Sequence, residues 1–258
     1  MKVIICGKGG SGKSTISALI AHGLAKIGFN ILLIDADESN TGLHRLMGDP
    51  SPLILMDDLG GKKEFKQKLN KPFGFDSGIF SKSSISLEDI PSQCNSKTDG
   101  IKLLSIGKIH SSGEGCACPM GILSKMILSK LLIGDKDIVL IDSSAGIEHF
   151  GRGIDEKCDL IINVVDPSFE SFLLSKKITA MAAEAETEIC YILNKMDDRV
   201  TKIVLENIDQ TKVAAKINQN ETIFMSGLKG EKLKISVPEI DPVCRLIEEK
   251  KKLDGDLQ

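Results

Sequence analysis

The stretch Gly7-Lys8-Gly9-Gly10-Ser11-Gly12-Lys13-Ser14-Thr15 fits G-x-x-x-x-G-K-[ST] from Gly7 to Ser14 and lies directly after the apolar run Val3-Ile4-Ile5-Cys6. Residues of these types bind phosphate. Glycines let consecutive backbone N–H groups curl around an anion, and the positive end of a following helix adds to the same site. Lys13 is placed to neutralise the terminal phosphates of a nucleoside triphosphate, and the Ser14 hydroxyl to coordinate magnesium. Asp35-Ala36-Asp37 closes a second apolar run, and Asp142 closes a third, Ile138-Val139-Leu140-Ile141. Phosphoryl transfer depends on positioning and charge neutralisation, so carboxylates at strand ends beside a phosphate loop suit magnesium organisation and orientation of an attacking water. Ser143-Ser144-Ala145-Gly146 follows Asp142; its alanine and glycine let the backbone approach or leave a γ-phosphate.

Two further clusters carry chemistry. In Asn194-Lys195-Met196-Asp197 the Asn amide can donate and accept toward a purine edge, and the Lys stem can cover a ring face. N-K-x-D is also the guanine-selecting pattern, so Asp197 keeps GTP open beside ATP. Cys116-Ala117-Cys118 offers two thiolates, short of the four that a tetrahedral or square-planar soft-metal site takes. A twofold dimer would supply the other two; two buried structural cysteines are the alternative.

These residues need a scaffold that brings strand ends together. The runs at 1–6, 31–35, 101–106, 138–142, 160–165 and 189–194 are short, rich in β-branched residues and bounded by turn residues, which predicts buried parallel strands. Weaker strand signals lie at 212–217 and 234–237. Helical periodicity follows the phosphate loop (Ile16, Leu19, Ile20, Leu24, Ile27) and recurs at 122–132 and 169–183. That alternation predicts an α/β fold, a doubly wound, mostly parallel sheet with helices on both faces. We expect a single domain over 1–258, with a less regular insertion at about 44–100 that holds one helix near 62–69. A closing helix at 241–253 alternates charge sign, unlike a basic, one-sidedly apolar membrane-surface helix.

The chain has 258 residues, 41% of them hydrophobic, and a formal net charge of −3. One Tyr and no Trp give few platforms for stacking bases, and the charge gives no polyanion-binding surface. Nucleic acid and membrane are therefore not expected partners. No apolar run approaches a membrane span, and the opening strand leaves no room for a secretory signal. A cytoplasmic protein is expected, whose seven cysteines are thiols or metal ligands rather than a disulfide framework.

The early lysine sharpens the reading. K-G-G-x-G-K-[ST], with Lys8 in first place, resembles the deviant phosphate loop of the MinD, ParA and nitrogenase iron protein superfamily. That resemblance implies a homodimer in which Lys8 crosses to the partner's nucleotide, ATP rather than GTP, and Asp37 as the carboxylate that positions the water. Asp35 then stands behind the metal's ligands. Ser144 departs from the Gly or Pro usual at its position. The chain further resembles the CooC family, maturation ATPases of nickel carbon monoxide dehydrogenase, in its phosphate loop, its Asp-x-Asp, its C-x-C ahead of a helix, and the run Ala145-Gly146-Ile147-Glu148-His149-Phe150-Gly151-Arg152-Gly153. This likeness implies that Cys116 and Cys118 of two subunits bind nickel or zinc, that ATP hydrolysis drives delivery into a nickel enzyme, and that Glu148, His149 and Arg152 belong to the switch and dimer surface. Two other outputs of the superfamily are an iron–sulfur electron donor and a MinD- or ParA-type positioning ATPase. Against the first, Asp142 is followed by no cysteine until Cys158.

Overall fold

The computed structural model describes residues 1–49, 52–69, 78–96, 98, 100–109, 118–147 and 158–255. Eight strands form one sheet: β1 (Lys2–Gly7), β2 (Asn30–Asp35), β3 (Leu53–Ile54), β4 (Ile101–Ser105), β5 (Asp137–Asp142), β6 (Leu160–Val165), β7 (Glu188–Met196) and β8 (Val213–Asn218). Their order is β3-β4-β2-β5-β1-β6-β7-β8, and every pairing is parallel. The expected doubly wound α/β sheet is present, without an antiparallel strand among the described residues.

Period-two alternation in the buried strands explains the two cores. Ile4, Cys6, Leu32, Ile34, Val139 and Ile141 face one side, where the helices Cys118–Lys130 and Phe169–Glu184 cover them. Val3, Ile5, Ile31, Leu33, Ile138 and Leu140 face the other, under the helices Lys13–Lys26 and Asp241–Gly255. Successive strand side chains point to opposite faces, so a strand buried on both reads as an unbroken apolar run. The closing helix packs through Val243, Cys244 and Ile247, with Gly23 of the first helix making room: a Cβ there would lie 2.6 Å from the Cys244 sulfur. Among the described residues no helix is long and apolar enough to cross a membrane.

The region 44–100 is less of an appendage than its composition suggests. It supplies edge strand β3, and its Phe65, Phe80, Ile85, Leu87, Ile90 and Cys94 all enter the first core. The helix Gly61–Leu69 forms where one was expected. The expected strand at 234–237 does not form; these residues are irregular and instead put Val237 against the second core. Two amphipathic helices, Asp198–Asn207 and Glu221–Lys229, were missed because their apolar faces are narrow.

Candidate functional site

The chain reverses its winding at β1, which lies between β5 and β6. In open parallel sheets the crevice outside the carboxyl ends of the strands at such a switch point is where ligands bind. Here that crevice holds the phosphate loop. β1 ends at Gly7 and the helix Lys13–Lys26 starts one residue after Gly12. Gly7 and Gly12 have φ of 141° and 100°, the region closed to residues with a Cβ. Space forbids one as well: it would strike the Val164 carbonyl at Gly7 and the Asn194 amide at Gly12. A cleft of about 300 Å³ opens over the loop, lined by Gly9, Gly10, Gly12, Lys13, Ser14 and Thr15 from one side and by Asp37, Ser39, Asn40 and Ala145 from the other.

The magnesium-type ligands converge. Ser14 Oγ donates to Asp142 Oδ2 at 2.6 Å, and Ser17 Oγ donates to Asp142 Oδ1 at 3.1 Å. Asp142 is fully buried at the end of β5, and parallel pairing sets it beside Asp35 of β2. Burial raises the Asp142 carboxyl to about 7, and the neighbouring Asp35 carboxylate pushes it the same way. Burial likewise raises Asp35 to about 6 against the opposing pull of Lys108. Such crowding of anions beside a serine hydroxyl fits a hard divalent cation with oxygen ligands. Magnesium bound there through Ser14 and the Asp142 carboxyl would supply charge neutralisation for the phosphates.

These shifts have a consequence for stability. An unfolded Asp142 ionises near 3.8, so between that value and about 7 the native state holds more protons than the unfolded one. Stability must fall as pH rises through that window. The nucleotide-free protein is therefore expected to melt lower at pH 7.5 than at pH 5.5, and Mg-ADP to raise the melting temperature more at the higher pH. Thermal scans at both pH values, with and without Mg-ADP, check this.

Lys13 and Lys8 take different places. Lys13 is buried, and its ammonium donates to the Lys8 carbonyl at 3.3 Å across the loop. Lys8 is about a third exposed and pairs with Asp166, just beyond β6, at 3.3 Å. Asp37 accepts from the Ser39 N–H at 2.9 Å and the Ser39 hydroxyl at 2.7 Å. Gly146 N–H donates to the Gly7 carbonyl at 3.1 Å, tying the segment after Asp142 to the start of the loop. Asn194 Nδ2 donates to the Ser11 carbonyl at 2.8 Å, and Lys195 Nζ to the Gly10 carbonyl at 2.7 Å. Both side chains thus brace the phosphate loop. Lys195 does so from φ 60°, beside a register irregularity between Leu193 and Met196, a left-handed conformation costing a non-glycine residue roughly 1–2 kcal/mol. Asp197, which had kept GTP open, caps the helix Asp198–Asn207: its carboxylate accepts from the Arg199 and Val200 N–H groups and from the Arg199 guanidinium at 2.8 Å. A guanine edge would have to compete with that cap.

Several residues of this site were not singled out from the sequence. Asn40 Nδ2 donates to Ser14 Oγ at 2.5 Å. Lys108 is buried and pairs with Asp35 Oδ2 at 2.7 Å. Two neighbouring buried carboxylates require a counter-charge, and a lone lysine two residues past the expected strand 101–106 was the available signal. Of the cysteine pair, Cys116 lies outside the described residues, as do Glu148, His149 and Arg152. Cys118 opens the helix Cys118–Lys130, is exposed and is disulfide-bonded. The other described cysteines, 6, 94, 158, 190 and 244, are free and buried. Among the described residues no three His, Cys, Asp or Glu side chains cluster as a metal site.

Comparison with known proteins agrees with this geometry. The family profile of the CobQ/CobB/MinD/ParA nucleotide binding domain matches residues 2–233. An uncharacterised ATP-binding protein of Methanocaldococcus jannaschii is 45% identical over 247 residues, 96% of this chain and 99% of the relative. The carbon monoxide dehydrogenase accessory protein CooC of Rhodospirillum rubrum is 32% identical over 251 residues, 95% of this chain and 92% of the relative. Among solved structures, the septum site-determining protein MinD of Pyrococcus horikoshii, complexed with Mg-ADP, superposes with a TM-score of 0.67 at 20% identity, covering 98% of this chain and 97% of that one. The chain is an ATPase belonging to the CobQ/CobB/MinD/ParA nucleotide-binding family.

Proposed function

We propose that this ATPase is a dimerising metallochaperone of the CooC type, which holds one nickel or zinc ion between two subunits and couples ATP hydrolysis to its delivery into a nickel enzyme, with carbon monoxide dehydrogenase as the client. The observation that carries the proposal is the exposure of Cys118 at a helix start while the five other described cysteines are buried: a shared site needs sulfurs that another subunit can reach, and this one is reachable once its disulfide is reduced. The 32% identity to CooC across nearly both full lengths supports the client. Nickel is cargo here, not a resident cofactor; magnesium serves the nucleotide.

The surroundings of Lys8 support dimerisation. Phe169 and Leu173 are 66% and 47% exposed on the helix that begins just after Asp166, the partner of Lys8. Large apolar side chains bared on the helix that follows the carboxylate holding a partly exposed lysine suit a surface that a second copy covers. In a closed dimer Lys8 would leave Asp166 for the partner's phosphates, a charge-assisted contact made only with nucleotide bound. ATP then favours the closed form because it binds that form better, and hydrolysis releases it.

Two variants test the division of labour. Lys8→Ala should leave the ATP affinity of the monomer nearly intact while cutting turnover about a hundredfold, the usual size of a lost transition-state donor; calorimetry beside a phosphate-release assay measures both. Equal losses in affinity and turnover would contradict a role across the interface. Asp37→Asn should slow hydrolysis about a hundredfold or more while sparing Mg-ATP binding, so that an ATP-loaded dimer accumulates in size-exclusion chromatography. Metal analysis of that dimer peak tests the whole reading: one nickel or zinc ion per two chains is expected, and a metal-free dimer would contradict it.

A further inference from the structure

Two segments at the carboxyl edge of the sheet are laced together more tightly than their roles so far require. One is Asp35–Asn40, which carries Asp37 and Asn40. The other, 106–109, follows β4 and leads toward the C-x-C. Ile106 N–H donates to the Asp35 carbonyl at 2.9 Å, and Ile109 N–H donates to the Glu38 carbonyl at 3.1 Å. Between them the Lys108 ammonium donates to Asp35 Oδ2 at 2.7 Å, to the Asp37 carbonyl at 2.5 Å and to the Asn40 carbonyl. An ammonium has three protons. All three are used, in a side chain 7% exposed, so any shift of Asp37 or Asn40 leaves a buried charge short of a partner unless Lys108 follows.

Both ends of this lacing touch something functional. At the nucleotide end, Asn40 Nδ2 donates to Ser14 Oγ at 2.5 Å. A divalent cation on Ser14 Oγ would face the positive end of that N–H dipole, so cation entry favours expelling the Asn40 amide and displacing a residue whose carbonyl Lys108 holds. At the other end, Gly107 is wedged between Met56 and Met120: a Cβ there would lie 3.1 Å from Met56 Cβ and 3.1 Å from Met120 Cγ. Met120 is buried in the opening turn of the helix headed by Cys118. Close-packed contacts transmit displacement because they have no slack.

We propose that Lys108 is the positioning residue that couples the nucleotide state at Asp35–Asn40 to the Cys118 end of the helix Cys118–Lys130, with Gly107 against Met120 as the mechanical contact. The inference deepens the metallochaperone reading and takes its biological meaning from it. Lys108 touches no nucleotide or metal; it acts through Asp37, Asn40 and Met120. Loading the phosphate loop thereby changes the presentation of the Cys118 sulfur, and hydrolysis changes it back.

The test is the alkylation rate of Cys118 by iodoacetamide in reduced protein, resolved by mass spectrometry of the Cys118 peptide. A Lys8→Ala, Cys116→Ser background removes the proposed contact across the interface and the neighbouring thiol, so cover by a second subunit does not contribute. With Mg-ADP against a non-hydrolysable Mg-ATP analogue, the rates should differ about fivefold or more, the lower range of ordinary coupling between sites. Adding Lys108→Met should bring the two rates together when each nucleotide is supplied at saturation, as calorimetry on the variant itself verifies. A variant that merely loosened the fold would raise both rates in parallel and keep their ratio. Gly107→Ala retains all three ammonium bonds but presses on Met120, and it too should reduce the ratio; it decides the matter if Lys108→Met does not fold. Equal rates in the background protein, or an undiminished ratio in the variant that folds, would overturn the coupling. A nucleotide-dependent rate in a protein that never binds nickel or zinc would instead remove the metallochaperone reading and leave the coupling standing.

Discussion

Lys13→Ala should abolish measurable ATP hydrolysis, lowering kcat/KM about a thousandfold, the upper range for one lost electrostatic group at a phosphate or oxyanion site. The expected effect is large because no lysine of the same subunit can substitute. Lys13 is 6% exposed and its ammonium rests on the Lys8 carbonyl inside the loop, whereas Lys8 points to Asp166 and Lys195 is spent on the Gly10 carbonyl. The fold should survive: the loop is held from outside by Asn194, Lys195 and Gly146, none of which needs the Lys13 side chain. Circular dichroism and melting should therefore be near wild type while phosphate release falls to background. Residual turnover within tenfold of wild type would mean that the γ-phosphate lies elsewhere.

What was legible in the sequence follows from how local each constraint is. The phosphate loop could be read whole because its glycines meet a backbone requirement written within nine residues. Strands β1, β2 and β5 could be read because burial on both faces leaves no polar residue inside their apolar runs, and β6 although the buried Asn163, which donates to Ser175, interrupts its run. Position 234–237 looked like a strand and is not: its Val237 and Ile235 pack against the second core without joining a ladder, and an apolar alternation does not tell the two apart. Residues 44–100 looked peripheral because their apolar residues are spaced irregularly, yet Phe65, Phe80 and Ile85 fill one core. Lys108 was hidden for a different reason. Its meaning depends on Asp35, 73 residues away, and no local pattern encodes a counter-charge between two strands. Asn194 and Lys195 were expected to meet a purine; the direction of their side chains, onto the Ser11 and Gly10 carbonyls, needed coordinates.

The same locality limits the cysteine pair. One C-x-C shows two ligands, and the proposed site exists only when two chains meet, so neither the sequence nor one subunit contains it. The chemistry still constrains it closely. Nickel and zinc take thiolates, metal binding at thiolates releases protons and weakens as pH falls, and the disulfide at Cys118 has to be reduced before the sulfur can serve. Cys116→Ser with Cys118→Ser removes all four sulfurs of a dimer at once and touches nothing in the phosphate loop. Affinity for the metal should fall by more than about a hundredfold, beyond the effect of losing a supporting group around a ligand, while ATP binding is unchanged.

That comparison is the most direct measurement of the central claim: metal content per dimer, by elemental analysis of reduced, ATP-analogue-bound protein loaded with nickel or zinc, in wild type and in the double cysteine variant. One ion per two wild-type chains and none in the variant is the predicted result. One ion per dimer held with unchanged affinity by the variant would contradict a metal site at Cys116 and Cys118 and leave an ATPase whose hydrolysis drives something other than metal transfer.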